Sequence, residues 1–175
     1  MTPMTEESAP DLREAMSHLA AGVSVLATRD VVGRDCGLTV TSLASVSLDP
    51  PLCAVAVRRG GFLHDALEVA DGWAVTILAA NQLPLAQYAA RHRYPSDTDD
   101  FARFAPSRGR ISGAVYFPAG MAVLECVPHA LVPAGDHTLA VGRVVSVPTG
   151  MQGVEPLIYH RRHYVGVGPV IAGRQ

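Results

Sequence analysis

The residues in this chain best arranged to act together are hydroxyls, and they stand in a row. Across "GLTVTSLASVSLDPP", Gly37 to Pro51, a period-2 reading puts Thr39, Thr41, Leu43, Ser45 and Ser47 on one face of an extended strand. Leu38, Val40, Ser42, Ala44, Val46 and Leu48 fall on the other face, which reads as core. The first face is a nearly continuous line of donors and acceptors on a segment apolar enough to be buried. A buried hydroxyl without a partner costs about 1–3 kcal/mol. The row therefore predicts something polar to bind.

Other chemistry is thin. The three cysteines, Cys36, Cys53 and Cys126, are odd in number, far apart in sequence and in no C-x-x-C spacing. Cys53 and Cys126 sit in strand-like runs, where a thiol behaves as a small hydrophobe, so buried free thiols in a reducing compartment are expected. His129 and His137 flank a turn. His160 and His163 lie in "YHRRHY", where a single strand would send them to opposite faces, so no metal site is predicted. There is no G-x-x-x-x-G-K-[ST], no strand–G-x-G-x-x-G–helix unit, no G-x-S-x-G and no H-E-x-x-H.

The elements that must position the hydroxyl row follow from periodicity and breakers. "DLREAMSHLA" predicts a short helix with Leu12, Ala15, Met16 and Leu19 on one face, and "VSVLAT" a strand. Asp49-Pro50-Pro51 stops the hydroxyl-rich strand, and "LCAVAVRR" starts the next. "FLHDALEVA" predicts a helix with Phe62, Ala66 and Val69 on one face. "WAVTIL" is a strand, and "NQLPLAQYAARH" a helix with Leu85, Tyr88 and Ala89 inside. Residues 93–113 form a long polar excursion of the kind that serves as a lid or binding segment. The remainder reads as strand. Seven or so strands and three short helices without βαβ alternation predict a mainly β protein, an antiparallel barrel with peripheral helices. Residues 1–10 are expected to be a flexible N-terminal tail and 11–170 a single domain.

Composition narrows the function further. Of 175 residues, 49% are hydrophobic and 17% charged, as in a compact globular protein, and the net charge of −2 argues against a basic nucleic-acid face. All 14 basic residues are arginine, which removes lysine Schiff-base chemistry. No apolar run is long enough to span a membrane, and the N-terminus lacks a signal pattern, so a cytoplasmic protein is expected.

Four segments, taken together, resemble a known family. "AGVSVLAT", "GLTVTSLASVSLDPPL", "WAVTIL…NQLPLAQYAA" and "AGDHTLAVGRV" followed by "PLIYHRRHY" span residues 21–164 in the order and spacing of the short-chain flavin reductases. These are the reductase components of two-component flavin-dependent monooxygenases. The resemblance implies a split β-barrel and a homodimer that reduces FMN or FAD with NADH or NADPH. Hydride passes from the nicotinamide C4 to flavin N5, and free reduced flavin leaves for a separate monooxygenase. It also implies that Thr39, Val40, Thr41, Ser42, Ser45 and Ser47 lie along the flavin.

After "CAVAV", which ends at Val57, the family carries serine and threonine hydroxyls that help hold the phosphate. This chain reads Arg58-Arg59-Gly60-Gly61-Phe62 instead. Arg58 and the Gly60–Gly61 backbone are expected to take over that role, since glycine lets N–H groups approach an anion closely, and the resemblance counts Val57 and Phe62 beside them as cofactor-binding too. Where relatives often have lysine before a phenylalanine, this chain has Asp100 before Phe101, and Asp100 cannot hold phosphate. His137 matches the family's nicotinamide-side histidine and is the candidate catalytic residue, expected to fix the nicotinamide C4 over flavin N5, with Asp136 read as a turn former. Arg161 and Arg162 are read either as contacts to pyridine-nucleotide phosphates or as surface charge. Two rivals remain within the resemblance. One is a split-barrel flavoenzyme that retains its flavin and acts on its own substrate. The other is a non-catalytic flavin-binding module.

Overall fold

The structure is a computed structural model describing residues 11–91, 101–148 and 150–169. The first ten residues, read above as a tail, lie outside the described residues, as does Asp100. Helix α1 (Leu12–Ser17) leads through β1 (Ala21–Gly22) and β2 (Ser24–Arg29) to β3 (Asp35–Val40) and β4 (Ala44–Leu48). β5 (Pro51–Arg58) is followed by α2 (Phe62–Val69), β6 (Trp73–Ile77) and α3 (Leu83–Ala89). β7 (Ser107–Arg108) and β8 (Val115–Tyr116) are short. The long β9 (Ala122–Ala134) and β10 (His137–Ser146) follow, and then the hairpin β11 (Ile158–His160) and β12 (His163–Val165).

Seven strands form one antiparallel sheet in the order β3-β2-β6-β9-β10-β5-β4. Its two edge strands, β3 and β4, are joined by only Thr41, Ser42 and Leu43. A flat sheet of seven strands is about 29 Å across, whereas the four residue steps from Val40 to Ala44 reach at most about 14 Å. The sheet must curl until the Val40 and Ala44 ends of its two edges lie within that reach. That connection makes the barrel.

Period-2 alternation sorts the core. On β2, Leu26 faces the barrel interior with Val55, Val57, Trp73 and Val75, and α2 adds Leu63, Ala66 and Leu67 to the same cluster. Val25 and Ala27 face the other way, onto α3 and onto Phe101, Val115 and Phe117. Both faces of β2 are therefore covered, and every residue from Ser24 to Thr28 is buried. The interior is tightest over Gly142, where an added Cβ would strike the Trp73 ring. Because that site has no side chain, Cys53 and Cys126, on the strands either side of β10, bring their sulfurs to 3.6 Å. The bond with Cys53, reinforced by burial, pushes the Cys126 thiol up, and burial raises Cys36 to about 11. Cys36 and Cys126 are held as inert thiols.

Several expectations are corrected. The hydroxyl-rich segment is two strands on opposite sheet edges rather than one, so a single alternation does not run through it. Its supposed core face fails at the second half: Val46 sits at a bulge between Ser45 and Ser47, 54% exposed, and Leu48 is 90% exposed. Helix α2 is rotated from the face predicted, burying Leu63, His64, Ala66 and Leu67 and leaving Val69 exposed. Leu63, Ala66 and Leu67 form an equally good i, i+3, i+4 stripe, and the barrel interior takes it. Helix α1 buries nothing, with Leu12, Met16 and nearby Leu19 all exposed. The described half of the long excursion is packed rather than poised as a lid, since Phe101 is buried against Phe117 and Tyr88.

Candidate active site

The short link that closes the barrel also carries two of the hydroxyls. Ser42 Oγ accepts from the Ala56 N–H at 3.1 Å and donates to the Ala56 carbonyl at 3.2 Å, fastening the link to β5. Thr41 and Ser42 then line a cleft of about 620 Å³, with Met16 of α1, nearby Leu19, and Tyr159 and Arg162 of the β11–β12 hairpin. That size suits a flat organic ring system with a polar rim. Ser45 is exposed and Ser47 half-buried on β4. Val40 ends β3 in the core.

Thr39 is differently employed. Its hydroxyl donates to the Ala86 carbonyl at 2.6 Å, tying β3 to α3, so only its lone pairs remain for a ligand. Thr39→Val is expected to lower unfolding stability by about 1 kcal/mol, and Thr39→Ser to restore it. Urea midpoints check this, and an unchanged midpoint for the valine variant would show that the bond contributes nothing.

The second half of the site stands at the end of β5. Ala56 and Arg58 share a face and lie about 7 Å apart along the strand. Arg58 is thus one same-face step from the point where Ser42 is fastened. The antiparallel register sets Arg58 directly opposite His137, the first residue of β10, with both side chains on one face. Val57, expected among the cofactor contacts, instead turns its side chain into the core opposite Thr138, because alternation along β5 puts it on the face away from Arg58. After Arg58 the chain turns through Gly60, at φ +70°, a conformation that favours glycine, and Gly61 caps α2, which begins at Phe62. No atom would meet a Cβ at Gly60, so the turn is open toward solvent. A guanidinium, an imidazole and an open glycine turn at a helix start have the chemistry to hold an anion.

His137 is held by its neighbour. Nδ1 lies 2.8 Å from Asp136 Oδ1, and that bond keeps the Asp136 carboxyl below the usual carboxylate range. With Nδ1 engaged, the other ring nitrogen is the one available to a ligand. Asp136 is therefore an orienting group as well as the turn former that the sequence indicated.

Arg161 is placed elsewhere. It and Arg162 occupy the β11–β12 turn, both at positive φ, as a two-residue type I′-like turn requires. The Arg161 N–H donates to the Ser17 carbonyl at 2.7 Å, and its guanidinium reaches His18 at 3.5 Å. Arg162 pairs with Glu14 at 3.0 Å. The turn also corrects the histidine geometry, because His160 and His163 are cross-strand partners rather than residues on opposite faces of one strand. The structure thus joins Arg58 to His137 and puts Arg161 against α1.

A family model described as the flavin reductase like domain matches residues 16–168. The chain belongs to the flavin reductase-like family. The NADH:riboflavin 5'-phosphate oxidoreductase of Streptomyces pristinaespiralis is 38% identical to this reductase-like chain over 154 residues, covering 87% of it and 84% of the relative. The reductase component of 4-hydroxyphenylacetate 3-monooxygenase from Thermus thermophilus is 37% identical over 152 residues, covering 87% and 92%. Among solved structures, the NADH:FAD oxidoreductase of Streptomyces globisporus, in complex with NAD and FAD fragments, superposes with a TM-score of 0.84 at 27% identity. That match covers 98% of this chain and all of the other. The antiparallel architecture of this family member is that of the flavin reductases, as the sequence pattern predicts.

Proposed function

We propose that this protein is an NAD(P)H:flavin oxidoreductase that reduces FMN or FAD and releases reduced flavin to a separate monooxygenase. The observation that carries the reading is the register setting His137 opposite Arg58. In this reading the His137 imidazole meets the nicotinamide and the Arg58 guanidinium beside it meets the flavin phosphate, one same-face step from the Ser42 link. The reduced nicotinamide and the flavin ring supply the hydride chemistry themselves. The protein contributes binding and alignment. Thr41, Ser42, Ser45 and Ser47 offer polar contacts to the flavin rim. Arg58 and the N–H groups around Gly60 and Gly61 stand in for the family's missing hydroxyls at the phosphate, with Phe62 beginning the helix behind them. His137, oriented by Asp136, holds the nicotinamide. Arg162 lines the far wall of the Thr41–Ser42 cleft, where it would meet the outer part of a nucleotide, and Arg161, its neighbour in the turn, is held against α1.

We further propose a homodimer. Val46 and Leu48 on the edge strand β4, and Leu12 and Met16 on α1, are apolar side chains that a second copy would cover. Among the described residues no helix is long and apolar enough to cross a membrane. Three unpaired buried thiols accord with a reducing, cytoplasmic setting.

Steady-state oxidation of NADH and NADPH, each with FMN and with FAD, tests the reading. Turnover with at least one pair is expected, and no turnover with any pair overturns it. Flavin that stays bound through purification, with little nucleotide oxidation, would instead favour a flavoenzyme acting on its own substrate. Bound flavin that is never reduced would favour a non-catalytic module.

A further inference from the structure

The corner between Arg58 and α2 contains a buried polar bond that the reaction does not use directly. His64, on the inner face of α2, is 9% exposed and Thr138, on β10, 5%. Their side chains meet at 3.0 Å, His64 Nε2 to Thr138 Oγ1. Leu63 and Leu67, also on α2, and Val57, opposite Thr138 on β5, belong to the apolar core of the barrel. Two apolar residues of the same shape would serve stability about as well there, so what the hydrogen bond adds is direction.

That direction matters because of what lies on either side. The turn from Arg59 to His64 is tied at both ends to one three-residue stretch of chain. The Arg59 N–H donates to the Asp136 carbonyl at 3.0 Å, and His64 meets Thr138 at the other end. Between the ties lie Gly60 and Gly61, whose backbone has no side chain of its own to hold it. Between Asp136 and Thr138 stands His137. Two more groups face the imidazole from α2: Asp65 Oδ1 lies 3.4 Å from Nδ1 and Glu68 Oε1 3.9 Å from Nε2, both carboxylates being more than half exposed. The threonine hydroxyl can give or accept a proton, so its bond survives either ring tautomer.

We infer that His64 and Thr138 are positioning residues whose bond locks the Gly60–Gly61 turn to the strand end bearing His137. The phosphate corner and the nicotinamide-facing imidazole are thereby set as one unit. The turn lacks the family's serine and threonine hydroxyls, and this tie supplies rigidity from behind instead. The inference rests on the oxidoreductase reading above.

Thr138→Val, His64→Leu, their combination and His64→Gln test it, with kinetics in both substrates and amide hydrogen exchange across residues 59–64. Each of the first two should raise the apparent KM for flavin and for NADH about three- to tenfold, with kcat changed less than about twofold. The double variant should be no worse than either single, because the two remove one bond. His64→Gln, which keeps a nitrogen near the Nε2 position, should stay within about twofold of wild type. Exchange at Gly60 to His64 should accelerate in the leucine and valine variants. A fall in melting temperature with both KM values and exchange unchanged would reduce the bond to a structural one and overturn the role. So would effects that multiply in the double variant. A wild-type protein inactive with every flavin and nucleotide overturns the oxidoreductase reading and this role with it. An active wild type whose variants keep both KM values overturns this role alone.

Discussion

Replacing His137 by alanine is expected to raise the apparent KM for NADH about tenfold or more, while the apparent KM for flavin moves less than about twofold. The magnitude follows from losing one hydrogen bond to a strongly polar or charged group, about 1.5–3 kcal/mol. The selectivity follows from the register. His137 opens β10 opposite Arg58, and its Nδ1 is occupied by Asp136, so its other ring nitrogen is left for a ligand. Arg58, on the neighbouring strand, is untouched by the change and would keep the hold on the flavin phosphate proposed for it. Asp136→Ala should reproduce a smaller part of the effect, since the imidazole remains but is free to rotate. His137→Gln should recover part of the loss by restoring a donor. Initial rates at varied NADH and saturating flavin, and the reverse, separate these outcomes. Unchanged nicotinamide kinetics in His137→Ala would remove the residue from the site.

Much of this arrangement is legible in the residues. Alternating apolar runs bounded by Gly and Pro give the strands, and the lack of helical crossovers gives their antiparallel sense. "GDH" marks a turn with a histidine at a strand start, and that is where it lies. What could not be read is where two near-equivalent patterns compete. Residues 38–48 alternate well enough to look like one strand, yet the pattern is blind to a three-residue link that moves the chain from one sheet edge to the other. Helix α2 offers two apolar stripes one residue out of phase, and only the barrel interior decides between them. That choice turned His64 inward, where Thr138 satisfies it. Position alone would read such a histidine as a surface residue. The meeting of Cys53 and Cys126 is likewise invisible, because it depends on an absent side chain at Gly142 on a third strand.

Glu125 is the clearest case of a residue whose work the sequence conceals, and removing it should produce the largest loss of stability. Within "AVLECV" it reads as the solvent side of a strand, yet it is 2% exposed. Its Oε1 accepts from the Ile111 N–H at 2.7 Å, the Ser112 N–H at 2.7 Å and the Ser112 hydroxyl at 2.9 Å. One carboxylate oxygen thus anchors the turn from Gly109 to Gly113, and Gly109 must lack a side chain because a Cβ there would strike that oxygen. Glu125→Ala strands two backbone donors and a hydroxyl under the turn. It should lower the unfolding free energy by about 3 kcal/mol, since each orphaned buried donor costs about 1–3 kcal/mol and water recovers part. Glu125→Gln keeps an acceptor oxygen and should cost less than half as much. Urea denaturation of the three proteins measures both. Glu125 pairs with Ser146, the last residue of β10, whereas His137 is the first. Well below its melting temperature the alanine variant should therefore keep both KM values. If stability fell and nicotinamide KM rose together, the two ends of β10 would be coupled, and the separation of scaffold from site argued for His137 would have to be abandoned.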